Sequence, residues 1–253
     1  MYLWRKSATP KWLSDNKSQL RTLTGDQLAI VERPGRERLH LEVACRSQTG
    51  AQKLAGYFGG RVKKLPADWL KRFLRRKTKP LKLGNRQLII PAGAAFGTGE
   101  HATTALSLHL LQTLTRNWKR RWSIVDLGTG SGILALAAKH FGAARVFGID
   151  NDPVAISTAK RNARLNKIGN VKFRGGDVKR WKSRRKIDIV TANLFSELLI
   201  EILPKLKVAR WLILSGILRG QMRDVRRGLK RNKIDIVQVQ RRGKWVAVLA
   251  AVK

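Results

Sequence analysis

Acidic residues are scarce in this chain: 16 Asp plus Glu stand against 53 Lys plus Arg in 253 residues, a formal net charge of +37. Such a field draws polyanions, RNA first among them, and speaks to association rather than to fold. Cysteine is nearly absent. The single Cys45 excludes an internal disulfide and a cysteine-only zinc site, and the 4 scattered histidines form no metal constellation. Long apolar runs are missing as well: none reaches membrane-span length, and Met1-Tyr2-Leu3-Trp4-Arg5-Lys6 lacks the apolar core of a signal peptide. The expectation is a soluble, cytoplasmic protein without a membrane partner or a metal. Its 43% apolar residues suffice for a sizeable core.

What is present centres on Ser123-Ile124-Val125-Asp126-Leu127-Gly128-Thr129-Gly130-Ser131-Gly132. An apolar strand ends in three glycines at alternate positions, and Ile133 to Ala138 then has the composition of a helix. Strand, glycine turn and helix open a nucleotide-binding βαβ unit, whose glycines let backbone approach a ligand closely. The next strand, Arg145–Asp150, ends in a carboxylate that can accept both hydroxyl hydrogens of a ribose. A dinucleotide site wants a third glycine where Ile133 stands. The pattern D-x-G-x-G-x-G instead resembles motif I of the S-adenosylmethionine-dependent methyltransferases.

The few acids are unevenly spread. Half of them, Glu100, Asp126, Asp150, Asp152, Asp177, Asp188, Glu197 and Glu201, lie in the stretch 100–201. Asp126, Asp150 and Asp177 stand at or just after strand ends, where open α/β sheets bind ligands. Negative charge there suits a cationic sulfonium donor and an amine acceptor.

Taken in order, residues 1–30 are mixed, with Trp4 and Trp12 among basic and polar residues. A half-buried strand over 38–44, a helix over 48–58 stopped by Gly59-Gly60 and a strand over 61–65 suggest a small α+β appendage, residues 1–65. Residues 66–87 read as a linking helix, with Trp69 and Phe73, and a connection. The segment Arg61–Arg86 carries eleven basic residues, which suits an RNA-facing surface as well as a helix packing its aromatics. From 88 to 253 the pattern is a strand at Leu88–Ile90, a turn over Ala94–Thr104 and a helix over 105–114. Thr103 or Thr104 would cap that helix. Strands near 124, 146, 171, 187 and 211 alternate with helices and close with a hairpin across Gly243. Asp152-Pro153 marks one helix start, and Asp177 follows a strand where it could meet an adenine amino group or simply close a turn. The expected fold is α/β, a seven-stranded Rossmann-like sheet with the appendage at its N-terminal side.

Four stretches together are more specific than motif I: Ala95–Thr104, Asp126–Gly132, Gly148–Pro153, and Thr191–Leu194 with Leu214–Ile217. In this order and spacing, from about Trp69 to the C-terminus, the chain resembles the PrmA family, the methyltransferases of large-subunit ribosomal protein eleven. The resemblance implies S-adenosylmethionine contacts on Thr104, Gly128, Asp150 and Asn193. The reading of the residues themselves adds Gly130 and Asp177. The resemblance, for its part, also implies an N-terminal ferredoxin-like domain that recognises the substrate, and methyl transfer to lysine ε-amines and an α-amine. The chain departs from the family at Ala102, where a proline is usual, in its short N-terminal region and in its basicity.

Transfer from a sulfonium is an in-line displacement, so positioning and desolvation are the enzyme's main tasks. Asn193, ending its strand, is expected to orient acceptor or donor as the catalytic residue. Leu194-Phe195-Ser196 follows it instead of Pro-Pro-aromatic, which argues against adenine or glutamine as acceptor. His101 reads as a loop-packing residue more than as a proton acceptor. Expected partners are the ribosomal protein and, through the basic surface, ribosomal RNA or the ribosome. The alternatives are a ribosomal RNA methyltransferase, one acting on another protein, and a non-catalytic ribosome-binding module.

Overall fold

A computed structural model describes residues 1–24, 28–31, 38–66, 80–91, 97, 99 and 101–252. The chain divides into two compact units, Met1–Phe73 and Leu74–Lys253. Much of the expected linking helix, including Trp69 and Phe73, lies outside the described residues, as does most of the turn 94–100 with Glu100.

The first unit runs β1 (Tyr2–Ala8), α1 (Pro10–Thr24), β2 (Leu28–Val31), β3 (Leu39–Cys45), α2 (Gln48–Phe58) and β4 (Arg61–Lys64). Its antiparallel sheet is ordered β2-β3-β1-β4, and βαββαβ is the ferredoxin-like succession. Only β2 and β4, of 4 residues each, are short. Residues 1–30, mixed in sequence, thus supply a strand with partners on both sides and a helix. The strand hides because Tyr2-Leu3-Trp4 are apolar in a row, while full burial falls only on Trp4 and Ala8. The helix announces itself at Thr9-Pro10, a capping residue and an N1 proline like Asp152-Pro153. Thr9 Oγ1 accepts from the Trp12 N–H at 3.2 Å. Trp4, Leu20, Leu41, Val43 and Phe58 form the core, and Trp4 Nε1 donates to the Gly59 carbonyl at 2.8 Å.

The second unit opens on a hairpin, β5 (Leu81–Leu83) and β6 (Arg86–Leu88), around Gly84-Asn85. This corrects the strand expected at Leu88–Ile90. Leu88 and Ile90 are buried, but Ile89 is paired by a side chain instead of a strand: Asn166 Nδ2 donates to its carbonyl and Asn166 Oδ1 accepts from its N–H, both at 2.7 Å.

Then follow α3 (Ala102–Thr115), β7 (Ser123–Leu127), α4 (Ile133–His140), β8 (Arg145–Asp150), α5 (Pro153–Leu165), β9 (Val171–Gly175) and β10 (Ile187–Asn193). The chain ends with α6 (Ser196–Ile202), β11 (Ala209–Leu218), α7 (Met222–Arg231), β12 (Ile234–Arg242) and β13 (Trp245–Val252). The seven strands are ordered β12-β13-β11-β10-β7-β8-β9, with β13 antiparallel to both neighbours and the rest parallel. This is the expected Rossmann-like sheet.

Period-2 alternation sorts its side chains into two cores. Ile124, Ile189 and Ile213 face α3, α4 and α5, while Val125, Val190, Leu212 and Leu214 face α6 and α7. Burial on both faces is why the central strands read as unbroken apolar runs. Among the described residues no helix is long and apolar enough to cross a membrane.

Candidate active site

In the strand order, β8 lies on one side of β7 and β10 on the other. Connections therefore leave β7 in one direction and return to β10 in the other, which opens a crevice at the carboxyl ends of these two strands. The glycine turn stands on the β7 side and Asn193 on the β10 side.

The turn is held by β8. The N–H groups of Gly128 and Thr129 donate to the Ile149 carbonyl at 2.8 and 2.9 Å. Gly128, Gly130 and Gly132 have φ of 70°, 53° and 82°, a left-handed conformation that disfavours any side chain. Asp150 closes the arrangement: Oδ2 accepts from the Gly130 N–H at 2.9 Å and Oδ1 from the Asp152 N–H at 3.0 Å. An ionised carboxylate has about four lone-pair sites, so each oxygen keeps capacity for a further donor, such as a vicinal diol. Asp177 hangs beside it, because the Gly176 N–H donates to the Asp150 carbonyl at 2.9 Å. One Asp177 oxygen closes its own turn by accepting from the Lys179 N–H at 2.8 Å.

Asn193 ends β10 opposite Ser215, half-buried, and its side-chain amide has no hydrogen-bond partner among the described residues. Two residues that sequence reasoning gave no role hold it in place. A Cβ on Gly216, whose φ is +88°, would stand 2.2 Å from the Leu194 carbonyl oxygen. Only glycine lets the backbone after Asn193 pack so closely, and β11 carries a bulge there against β13. Leu194 in turn lays its side chain over Gly128, where a Cβ would meet it at 2.4 Å. The two sides of the crevice thereby touch.

Thr104 reaches the same region through α3. The cap of that helix is neither Thr103 nor Thr104 but His101, whose Nδ1 accepts from the Thr103 N–H at 3.4 Å. Both threonines sit inside the first turn, because the helix starts three residues earlier than its leucine pattern suggests. Ala102 occupies N1, the position that suits proline, which accounts for the family's habit there. Ser215 Oγ donates to the Thr103 carbonyl at 3.1 Å and ties the helix start to β11. The Thr104 hydroxyl is buried and has no partner among the described residues, so a polar ligand atom would satisfy it. The His101 ring packs edge-on to Trp245 at 5.1 Å, and burial lowers its pKa below the ordinary value. The glycine loop also reaches over: Ser131 Oγ donates to the Gly97 carbonyl.

Not every strand-end acid faces the crevice. Asp126 is buried, accepting from Thr129 and Thr191 hydroxyls at 2.7 Å each. It braces β7 against β10 from below and offers a ligand nothing, which corrects the grouping by sequence position. Burial raises its pKa from 3.8 to about 6, against the opposing pull of the Thr129, Thr191 and Ala135 hydrogen bonds. Asp188 is the second residue of β10, at the end of the strand far from the crevice. Burial pushes its carboxyl up, but the hydrogen bonds from Arg120 and Ser123 outweigh this and hold it below the ordinary value.

The Asp126 shift has a stability consequence. The native state binds this proton more tightly than the unfolded chain does, so its contribution falls as pH rises from about 4 to about 6 and stays low above. The loss is on the order of 3 kcal/mol. We expect Asp126→Asn to remove that descent. Denaturant midpoints of the two proteins should converge or cross between pH 4 and 7, and parallel curves would contradict the assignment.

Comparison with known proteins places the chain in a family. The family model described as ribosomal protein L11 methyltransferase (PrmA) matches residues 69–253. The chain belongs to that family. The ribosomal protein L11 methyltransferase of Caldicellulosiruptor bescii is 33% identical over 204 residues, covering 72% of this chain and 65% of the relative. That of Lacticaseibacillus paracasei is 34% identical over 178 residues, covering 69% and 55%. The chain therefore spans roughly three fifths of the length of these curated relatives. A crystal structure of ribosomal protein L11 methylase from Lactobacillus delbrueckii subsp. bulgaricus aligns with a TM-score of 0.57 at 30% identity, over 63% of this chain and 81% of that one. In PrmA terms, the matched span takes in every residue of the crevice, while β1 to β4 lie outside it.

Proposed function

We propose that this chain is an S-adenosylmethionine-dependent protein methyltransferase acting on lysine ε-amino groups, the N-terminal α-amino group, or both, of ribosomal protein L11. The observation that carries the reading is the pairing, across one crevice, of a diol-binding arrangement at Gly130 and Asp150 with an unpartnered amide at Asn193. PrmA membership and the names of the relatives supply the acceptor. In this reading Thr104, Gly128, Gly130, Asp150, Asp177 and Asn193 hold the donor, whose sulfonium supplies the methyl group when bound. Asp150 accepts from the ribose hydroxyls, Asp177 meets the adenine amino group, and the Thr104 hydroxyl gains its missing partner.

Asn193 carries the acceptor side. A lysine amine must be neutral to attack, against a free pKa of about 10.4. A partly dry crevice disfavours its charged form, and the Asn193 carbonyl oxygen can accept from the amine and aim its lone pair. The first unit recognises the substrate, as the family resemblance implies. The reaction belongs in the cytoplasm, where ribosomal material is present, and the net charge of +37 favours contact with ribosomal RNA there.

The test is incubation of purified L11 with the chain and donor, followed by intact-mass measurement. Whole methyl increments that trypsin mapping places on amines support the reading, and unmodified L11 with donor bound contradicts it. For Asn193→Ala we expect turnover to fall about 100-fold with a smaller loss of donor affinity, about tenfold or less, since one donor contact goes together with the reacting geometry. Full turnover would end the orienting role.

A further inference from the structure

Parallel crossovers in this sheet are helical with one exception. α4 joins β7 to β8, α5 joins β8 to β9, and α6 leads from β10 to β11, but residues 176–186 between β9 and β10 contain only turns. That connection must pass back across β8 and β7, so the sheet face beneath it is roofed by a loop where a helix would normally pack. A groove of about 610 Å³ remains, a size that admits a small ligand or a nucleotide. Its floor is apolar and aromatic, with Phe147 half-buried, Ile149 buried, and Trp181 of the loop half-buried beside them.

The rim is cationic. Seven Arg and Lys side chains line the groove, against one carboxylate, Asp177. Only Arg180 has an ion pair among the described residues, to Asp177 at 4.0 Å. Arg174, Arg184 and Arg185 are exposed and have none. Crowded like charges without counter-charge raise the energy of the free protein, and an anionic partner would relieve this. Flat rings on the floor and guanidinium groups on the rim are the two halves of single-strand nucleic-acid binding: bases stack, and phosphates meet arginine forks.

We propose that the β9–β10 groove is a binding site for single-stranded RNA. The inference goes beyond the methyl-transfer reading. It places the RNA contact on one face of the sheet, in a groove that meets the donor crevice only at Asp177, and it stands whether or not L11 is the acceptor.

The experiment is fluorescence anisotropy of a labelled oligouridylate with the full chain, across salt concentrations. With three or more phosphates engaged, log K should fall against log salt with a slope of about −2 or steeper. Trp181→Ala should weaken binding about tenfold with little change of slope, the loss expected for one stacked base. Arg184→Gln with Arg185→Gln should flatten the slope by about 1.4, two phosphates' worth. The same change at exposed Arg223 and Arg226 of α7 is the control and should move affinity less. Because the rim pair is exposed, that variant tests the site even where Trp181→Ala disturbs folding, which thermal unfolding of each variant reveals.

Equal losses from the rim and control pairs would mean diffuse attraction and overturn the site. Displacement of RNA by polyglutamate of equal charge as effectively as by unlabelled RNA would overturn the choice of ligand. RNA binding without L11 methylation would sink only the methyl-transfer reading, and methylation without groove binding only this one.

Discussion

Asp150→Ala should lower affinity for S-adenosylhomocysteine by about 100-fold or more. Two hydrogen bonds from ribose hydroxyls to an ionised carboxylate are worth about 1.5–3 kcal/mol each, so losing both removes at least ~3 kcal/mol, or two decades in Kd. A second loss adds to it. The same carboxylate accepts from the Gly130 and Asp152 N–H groups at 2.9 and 3.0 Å, so its removal also frees the glycine turn that lines the crevice. Asp150→Asn separates the effects, because the amide keeps one acceptor and the shape of the side chain; an intermediate loss is expected. Calorimetric titration with the thioether product measures affinity without turnover. Binding within threefold of the parent by Asp150→Ala would show that the carboxylate does not anchor the ligand.

Gly216→Ala should have an effect nearly as large from a residue outside the ligand-binding set. The added methyl would lie 2.2 Å from the Leu194 carbonyl oxygen and 2.9 Å from its carbon, at a φ of +88°. The left-handed conformation costs on the order of 1 kcal/mol for a non-glycine residue. The larger obstacle is backbone, which cannot rotate away as a side chain can. The segment after Asn193 must then retreat, and a displacement near 1 Å in a positioning group costs about 100-fold in rate. Methyl transfer should fall by that factor, and stability by about 2–4 kcal/mol. An alanine variant with parental turnover and parental unfolding midpoint would show that β11 does not position Asn193.

These two positions differ in how plainly they read from sequence. Asp150 announces itself because its signal is local: an apolar strand, a terminal acid, and a glycine turn one βα unit earlier. The same locality made the sheet, its strand alternation and the Asp152-Pro153 helix start legible. Gly216 and Leu194 sit in quoted motif stretches, yet their work is tertiary. One is a backbone approach between β10 and β11, and the other is a side chain resting on a glycine more than sixty positions earlier in the chain.

Asp126 shows the reverse hazard. It shares the strand-end position of Asp150, but its side chain points between β7 and β10 into threonine hydroxyls. Position along a strand does not say which way a carboxylate faces. The first strand and helix are hard to read from sequence because a contiguous Tyr-Leu-Trp obscures the alternation, although Thr9-Pro10 carries a readable cap. The basic stretch before β10 was visible as charge alone. Its meaning as a roof without a helix needed the strand order.

Recovery of methyl label from matched ribosomal material tests the central claim most directly. Whole particles are incubated with the chain and methyl-labelled S-adenosylmethionine, then protein and RNA are separated. Label in the protein fraction, on L11 amines, and its loss with Asn193→Ala, is the expected result. Label in RNA, or no label while the donor binds, would contradict it.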